Sequence, residues 1–399
     1  MDRAEALDRY RSLPLPDTSM EAWRFTDLRG FDPDSFGRNG HVEVTQGTVT
    51  ATVPRPEEAA MLDVDMAGLA TAADGKIEIE NAPAGVEFAP LPEDHERLGT
   101  LVGTDDKFSA HNAASWRSGL LVRVPKGMEL DDPLYVRVTV DDDAASFWRL
   151  LVVAEEGSRF SLIEEYTSPS AEAAGYSNAA VELFVEQGAK LEYVSLQNLA
   201  KETWHFATHR ATVGKDAELD WVAGGFGSRR GKVRIHNDLA GQGATSRVTG
   251  AYFADGTQHL DYDTFQQHHA PSTTSDFAFK GVLREQASVV WRGMIRVEED
   301  AQKTNAYQEN RNLILSPDAH ADSIPGLEIL ANDVRCTHGA TISQVDREQL
   351  FYAMSRGLTR GDAERLIVRG FFQDVLDRIE LAPVRDALAE RLEARIPHS

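Results

Sequence analysis

Short β-like segments recur along the middle of this chain, and small residues mark the turns between them. From about residue 147 to residue 345, runs such as VELFV, KLEYVSL and AELDWV alternate with turns such as EQGAK, GKDAE and GQGAT. The alanines of these three turns, Ala189, Ala217 and Ala244, follow one another at intervals of 28 and 27 residues. Successive turns of a β-solenoid stack on each other, so their corners need small residues. This repeat predicts a mainly β fold built as a solenoid.

The later part of the repeat is less regular and leaves a second architecture open. The interval from Ala244 to Ala287 is 43 residues, and the interval from Ala287 to Ala301 is 14. An antiparallel β-sandwich also consists of short strands separated by frequent turns. A sandwich is therefore the alternative to the solenoid, and the pattern favours β structure without settling its handedness.

Helical patterns flank the β region on both sides. Near the N-terminus, EALDRYRSL carries an apolar stripe, and MEAWRFTDLR is expected to form a second helix after the break at LPLPDTS. A mixed segment with few regular patterns follows. We therefore expect an N-terminal helical or mixed region over residues 1–100, a β core over residues 101–345 and a C-terminal helical domain over residues 346–399.

Capping residues outline the C-terminal helices. Asp346 is placed to cap a helix that Gly357 ends, and Thr359 is placed to cap the next one. Pro383 suits the first turn of a last helix, with Val384, Leu388, Leu392 and Ile396 on one apolar stripe. The apolar face of LIVRGFF is wide, and Gly370 in mid-helix costs about 1 kcal/mol relative to alanine, which indicates close approach by another element. These helices are expected to cap the β region, and a partner surface on them is the alternative.

Composition limits the classes of function. The 399 residues carry a formal net charge of -23 and no block rich in Lys and Arg, which argues against a general nucleic-acid-binding surface. No apolar run approaches the roughly 20 residues of a membrane helix. The segment MDRAEALDRYR lacks the pattern of a secretory signal, and a single cysteine cannot form an internal disulfide. We therefore expect a soluble, cytoplasmic protein.

The stretch NDVRCTHGAT contains the only cysteine of the chain, Cys336, two positions before His338. In a strand, the two side chains point to one face about 7 Å apart, so a thiolate and an imidazole can both reach one metal ion or cluster edge. Zinc and iron accept this pair of ligands. A complete site needs about four ligands, and the others must come from other residue types or another chain. A buried cysteine beside a hydrogen-bonded histidine is the structural alternative.

Two other classes of function stay open on the residues alone. A β-solenoid enzyme acting on carbohydrates would use carboxylates along one face, although spacing singles out none of the 64 acidic residues. A stand-alone metal-binding β protein would use His209, four residues after His205, or His268. Against this, no HExxH glutamate accompanies His205, and His268 and His269 face opposite sides of a strand. No phosphate loop or nucleophile elbow occurs in a strand–turn–helix context.

Several longer stretches are distinctive in combination. They are TSDFAFKGVLREQASVVWRGMIRVEEDAQKTNAYQENRNLILS, LEILANDVRCTHGATISQVDREQLFYAMSRGL and AERLIVRGFF, all between Thr274 and Phe372, with FSAHNAASWRSGLLVRVPKGMELDDPLYV and MEAWRFTDL nearer the N-terminus. Together they resemble the SufB/SufD family, the scaffold subunits of the SUF iron–sulfur cluster assembly machinery. VRCTHGAT matches the SufD type. The cysteine that SufB-type chains use for cluster building would align at about Ala319, where this chain has none.

The resemblance implies a right-handed parallel β-helix between a helical N-terminal region and a small helical C-terminal domain. It also implies a non-catalytic scaffold subunit that pairs with a SufB-type chain through the β-helix ends and docks a SufC-type ABC ATPase on the C-terminal helices. A homodimer is a further state for the chain in isolation. His338, with Cys336 nearby, would be a ligand of a transient nascent iron–sulfur cluster at the interface. Tyr352, Arg356 and Phe371 are expected to contribute to the ATPase contact.

Overall fold

The core of the protein is a parallel β-helix made of two sheets. The computed structural model describes residues 2–38, 62 and 64–396. From β5 onward, consecutive strands alternate between the two sheets, so that each strand pairs in parallel with the second strand after it. The mainly β solenoid that the repeat predicts is therefore confirmed. The antiparallel sandwich is wrong, because stacked turns rather than hairpins connect the strands.

Each sheet contains ten strands within the described residues. Sheet 1 consists of β1 (Gly37–Arg38), β4 (Glu87–Pro90), β5 (Ser118–Val124), β7 (Ala144–Ala154), β9 (Tyr176–Val185), β11 (Trp204–Val213), β13 (Arg230–Leu239), β15 (His259–His268), β17 (Ser288–Val297) and β19 (His320–Ile329). Sheet 2 consists of β2 (Gly68–Ala73), β3 (Lys76–Asn81), β6 (Leu134–Thr139), β8 (Arg159–Thr167), β10 (Lys190–Asn198), β12 (Glu218–Gly225), β14 (Thr245–Ala254), β16 (Thr274–Leu283), β18 (Asn305–Ile314) and β20 (Arg335–Gln344).

The described residues also form five α-helices. They are α1 (Arg3–Ser12), α2 (Lys107–Ser115), α3 (Arg347–Ser355), α4 (Arg360–Leu376) and α5 (Ala382–Ala394). None of them has the length and apolar character that a membrane span requires. Two helices precede most of the β-helix, and three follow it.

Strand register explains the repeat seen in the sequence. Lys190 pairs with Glu218, and Glu218 pairs with Thr245, which reproduces the intervals of 28 and 27 residues between the corner alanines. Those three alanines are fully buried, because the next turn stacks directly on each corner. Later turns are longer, and Ser288 pairs with His320, 32 residues further on. The irregular intervals have another cause: Ala287 lies at the corner before β17 of sheet 1, whereas Ala244 and Ala301 precede strands of sheet 2.

Aromatic rings fill much of the space between the two sheets. Tyr252 stacks on Tyr262 with ring centroids 5.2 Å apart, and both rings are buried. Glycines make room for such rings: a Cβ atom on Gly281 would lie 1.7 Å from a ring carbon of Tyr252. Strand periodicity predicts that these positions face inward, but it does not predict which glycine accommodates which ring.

The two ends of the β-helix differ. At the N-terminal end, the short antiparallel strands β3 and β4 pair with β2 and β5 and extend the sheets. At the C-terminal end, among the described residues, β19 pairs only with β17, and β20 pairs only with β18. Both terminal strands are ten residues long. We call this C-terminal end, formed by β19 and β20, the open end.

The N-terminal segment packs on the outer face of sheet 1. Trp23 and Phe31 are buried in an aromatic cluster with Phe206, with Phe31 and Phe206 ring centroids 5.2 Å apart. Of MEAWRFTDLR, only Glu21–Trp23 forms a short 3-10 turn. The second N-terminal helix is therefore wrong, because the segment follows the sheet surface to bury its aromatic side chains.

The C-terminal helices begin and end where the sequence predicts. The side chains of Asp346 and Thr359 accept hydrogen bonds from main-chain N–H groups at the starts of α3 and α4. Between the two helices, Gly357 has a φ of +98°. The predicted apolar stripe of α5 is buried at Val384, Leu388, Leu392 and Ile396. The close approach predicted at Gly370 is wrong, because no described atom lies within 4 Å of its Cβ position.

Buried histidines make the stability of the fold sensitive to acid. His205 and His209 are enclosed between the sheets, and burial lowers the pKa of each to about 3. In the unfolded chain a histidine has a pKa of about 6.5, so the unfolded state takes up protons that the folded state excludes. This stability is present above pH 6.5 and is lost as the pH falls.

His209→Phe is expected to reduce that loss. The His209 ring stacks on Trp221 at 5.5 Å, so a phenyl ring preserves the packing while removing the titrating group. When the pH falls from 7 to 5, the free energy of unfolding should decrease by about 2 kcal/mol less in the variant than in the unaltered protein. Urea unfolding at the two pH values measures this difference. An unchanged difference would show that His209 does not contribute to acid sensitivity.

Candidate functional site at the open end of the β-helix

The main chain of β20 has one paired side and one unpaired side. The N–H group of Arg335 donates to the carbonyl of Thr304 at 2.9 Å, and alternate residues continue this ladder along β18. The residues between them, from Cys336 to Gln344 in steps of two, direct their N–H and C=O groups toward the open edge. Such groups form a ready template for another strand.

The edge of β19 is interrupted. The N–H group of His320 donates to Ala287 at 3.0 Å, and that of Leu330 donates to Val297 at 2.9 Å. Even-numbered residues of β19 therefore face β17, and odd-numbered residues face the open edge. Pro325 is one of the latter, so a donor is absent in the middle of this edge. The two open edges are consequently not equivalent.

Cys336 points into the space between the sheets. It pairs with the buried Ala306 and packs against an apolar cluster that includes Ile295 and Ala331. Burial raises the pKa of the thiol above its usual value, although a hydrogen bond with the main chain of Ala306 opposes this shift. The free thiol is therefore protonated at neutral pH, and metal coordination would have to displace its proton.

His338 lies two residues further along the same inward face. It pairs with Gln308, which is fully buried, whereas His338 itself is exposed at the open end. No hydrogen bond joins its ring to another described residue. The imidazole is therefore accessible to a ligand or a partner chain.

The pair does not form a complete metal site. Across residues 2–38, 62 and 64–396, no group of three or more His, Cys, Asp or Glu side chains is arranged to hold a metal ion. A zinc ion or a small iron–sulfur cluster needs about four ligands. Cys336 and His338 therefore supply at most part of a coordination shell.

The other candidate histidines occupy structural positions. His268 is buried, and its two ring nitrogens lie 2.7 Å from the Thr273 hydroxyl and 2.9 Å from the Ser275 hydroxyl. His209 is enclosed between the sheets beside Trp221. Neither histidine is accessible to a metal ion from solvent, so the open end is the better candidate.

A cavity of about 180 Å³ on the outer face of sheet 1 bears on the carbohydrate-enzyme alternative. Asp105, Asp106 and Asp263 contribute to its lining. Asp106 is engaged elsewhere, because it caps α2 at the Phe108 N–H group and pairs with Arg234. Ligand pockets usually measure about 300 Å³ or more. The cavity therefore gives little support to a sugar-binding groove.

The C-terminal helices carry the residues expected at a partner contact. Tyr352 is 60% exposed, and the Arg356 guanidinium lies 5.1 Å from the centre of its ring. Phe371 is less accessible, because it packs toward sheet 2 with the Lys280 ammonium 4.8 Å from its ring centre. Sequence reasoning missed Phe351, which is 74% exposed. No sequence pattern distinguishes Phe351 from a buried position, because the lack of buried side chains in α3 is visible only in the structure.

Comparison with known proteins identifies the family. Residues 137–371 match the family model described as "SUF system FeS cluster assembly, SufBD core domain". The chain is 33% identical over 271 residues to an iron–sulfur cluster assembly SufBD family protein of Staphylococcus saprophyticus, in a match covering 67% of this chain and 58% of the relative. SufBD family proteins of Staphylococcus epidermidis and Staphylococcus aureus are each 32% identical, with the same coverage.

The matched region thus spans 58% of the length of these curated relatives. The family-model match, over residues 137–371, includes most of the β-helix, the open end and the greater part of α4. The chain belongs to the SufBD family of the SUF iron–sulfur cluster assembly system.

Proposed function

We propose that this chain is a SufD-type scaffold subunit that supplies part of an iron–sulfur cluster assembly site shared with a SufB-type partner. The observation that carries the proposal is an incomplete ligand pair, Cys336 and His338, on the inward face of an unpaired terminal strand. Iron–sulfur clusters accept thiolate and imidazole ligands. The remaining ligands would come from the partner, and the nascent cluster is the cargo of the site.

The partner would add to the edge of β20. That strand exposes an uninterrupted row of main-chain donors and acceptors, whereas Pro325 interrupts the row on β19. Ile329, Leu330 and Ile342 are exposed apolar side chains at the same end. When a strand adds to a sheet edge, it forms main-chain hydrogen bonds and buries apolar side chains beside them. A second copy of this chain could occupy the same edge when the partner is absent, which gives the expected homodimer.

The SufD type is favoured over the SufB type by residues at the open end. The sequence VRCTHGAT has the small hydroxyl residue Thr337 between the cysteine and the histidine. Ala319, where a SufB-type cysteine would align, is a buried corner residue. The chain would therefore depend on its partner for the sulfur ligand on which a cluster is first built. This division of ligands fits a scaffold without catalytic activity of its own, acting in the cytoplasm.

A SufC-type ATPase would dock on the exposed face of α3 and α4. The apolar side chains exposed in this region are Phe351, Tyr352, Met354, Leu358 and Leu366. Helix α3 buries none of its side chains within the described chain, so its apolar residues are available to a partner. The space beside Gly370 lies on the exposed side of α4 and allows close approach. Phe371 would contribute by anchoring α4, and Arg356 by orienting the Tyr352 ring.

Co-expression with SufB-type and SufC-type partners tests both contacts. The unaltered chain should form a three-component complex that contains iron and sulfide after reconstitution. His338→Ala should leave the complex intact and lower its cluster content, because only a ligand is lost. Phe351→Asp should release the ATPase while preserving the SufB-type partner, because it places a charge on the exposed face of α3.

Matched variants separate specific from general effects. His320→Ala removes an exposed histidine that contacts Asp322 on the outer face of the same end, and it should not change the cluster content. Cys336→Ser tests whether the thiol is a ligand or only packs. Failure of the unaltered chain to bind a SufB-type partner would refute the scaffold role. Full cluster content in His338→Ala would refute the assignment of the ligand alone.

A further inference from the structure

Gln308 crosses the space between the two sheets directly below His338. It is fully buried and pairs in register with His338 on the adjacent strand β20. Its Nε2 atom donates to the main-chain carbonyls of Gly293 at 3.2 Å and Gly326 at 3.0 Å. These carbonyls belong to β17 and β19. One side chain of sheet 2 therefore bridges to the last two strands of sheet 1.

The position of the Gln308 amide is tightly defined. A Cβ atom on Gly293 would lie 2.5 Å from the Gln308 Oε1 atom, so a larger residue would block the crossing. Both hydrogens of the amide are committed to carbonyls, and its oxygen lies 3.5 Å from Nε2 of Gln266 in the turn below. The amide is thus held in one position beneath the exposed side chains of the open end.

His338 has no comparable anchor among the described residues. Its imidazole can donate an N–H group, as the amide of Gln308 does. Without Gln308, the carbonyls of Gly293 and Gly326 would keep only their main-chain partners in the ladder between β17 and β19, and a space would open between the sheets. The next side chain in the same inward column is His338. Turning its ring inward would replace the second donor to one of these carbonyls and fill part of the space.

We infer that Gln308 is a positioning residue that holds the His338 ring at the open end. It fills the space into which the ring would otherwise turn, and it occupies the carbonyls that would attract the imidazole. The position of the ring is a property of the chain alone. Its consequence for cluster binding rests on the proposed function.

Chemical modification of the full-length chain tests the position of the ring. Diethyl pyrocarbonate reacts with accessible imidazoles, and peptide mapping by mass spectrometry reports the rate at His338 separately from the other histidines. In Gln308→Ala the rate at His338 should fall several-fold, because the ring becomes buried and hydrogen-bonded. Gln308→Leu keeps a side chain in the space and should retain the unaltered rate.

Asn312→Ala is the matched control. Asn312 is another buried, inward amide on β18, but it pairs with Ile342 instead of His338. Its loss should leave the rate at His338 unchanged. The inference is overturned if Gln308→Ala reacts at the unaltered rate, if Asn312→Ala slows the reaction equally, or if Gln308→Leu slows it as much as Gln308→Ala.

Cluster content provides the second readout. In the complex with SufB-type and SufC-type partners, Gln308→Ala should assemble normally and lose cluster content toward the level of His338→Ala, whereas Asn312→Ala should not. If the unaltered complex holds no cluster, the proposed function fails while the modification rates still decide the role of Gln308. If the rates change as expected but cluster content does not, the positioning of His338 has no role in cluster binding.

Discussion

Main-chain hydrogen bonds between successive turns are the interaction on which the rest of this structure depends. Each turn of a parallel β-helix satisfies its N–H and C=O groups with the turn before it and the turn after it. Within the described residues no turn follows the last one, so β19 and β20 present unpaired edges at the end that carries Cys336 and His338. The architecture and the candidate site are therefore linked, because the incomplete ligand pair lies on the strand whose main-chain hydrogen bonds are also incomplete.

The C-terminal helices are attached to this frame in two different ways. Arg378 of the segment after α4 forms two contacts with the Asp276 carboxylate at 3.2 and 3.1 Å, and Lys280 donates to the Phe371 carbonyl at 2.7 Å. These contacts fix α4 to sheet 2. Helix α3 follows β20 and has no buried side chain. A short, weakly packed helix thus connects the strand of the candidate site to α4 and itself forms part of the proposed ATPase surface.

The sequence predicted features that depend on neighbours along the chain. Corner alanines, helix caps at Asp346 and Thr359 and the stripe of α5 follow from local spacing. Packing across the interior does not follow from local spacing. Gln308 donates to the carbonyl of Gly326, 18 residues away, and the Tyr252 hydroxyl donates to Asn312, 60 residues away. The helix predicted after Met20 is wrong for the same reason, since Trp23 and Phe31 pack on Phe206, 183 and 175 residues further along the chain.

For Cys336 and His338, the sequence motif predicted the face of the strand but not the burial of each side chain. Their spacing predicted a shared face, and the register of β20 places both residues on its inward face. Spacing did not predict that the thiol would be half-buried and the imidazole exposed. That difference comes from the residues they pair with on β18. Ala306 belongs to an apolar cluster, whereas the Gln308 amide is hydrogen-bonded to the main chain of the opposite sheet. The role of each residue therefore depends on the turn beneath it as much as on the motif.

Amide hydrogen exchange along β20 tests the central claim most directly. Mixing the chain with a SufB-type partner should protect the amides of Cys336, His338, Ala340 and Ile342, because their N–H groups face the open edge. The amides of Arg335, Thr337 and Gly339, which face β18, should change less. A stable complex in which the edge amides of β20 exchange as fast as in the isolated chain would contradict the account.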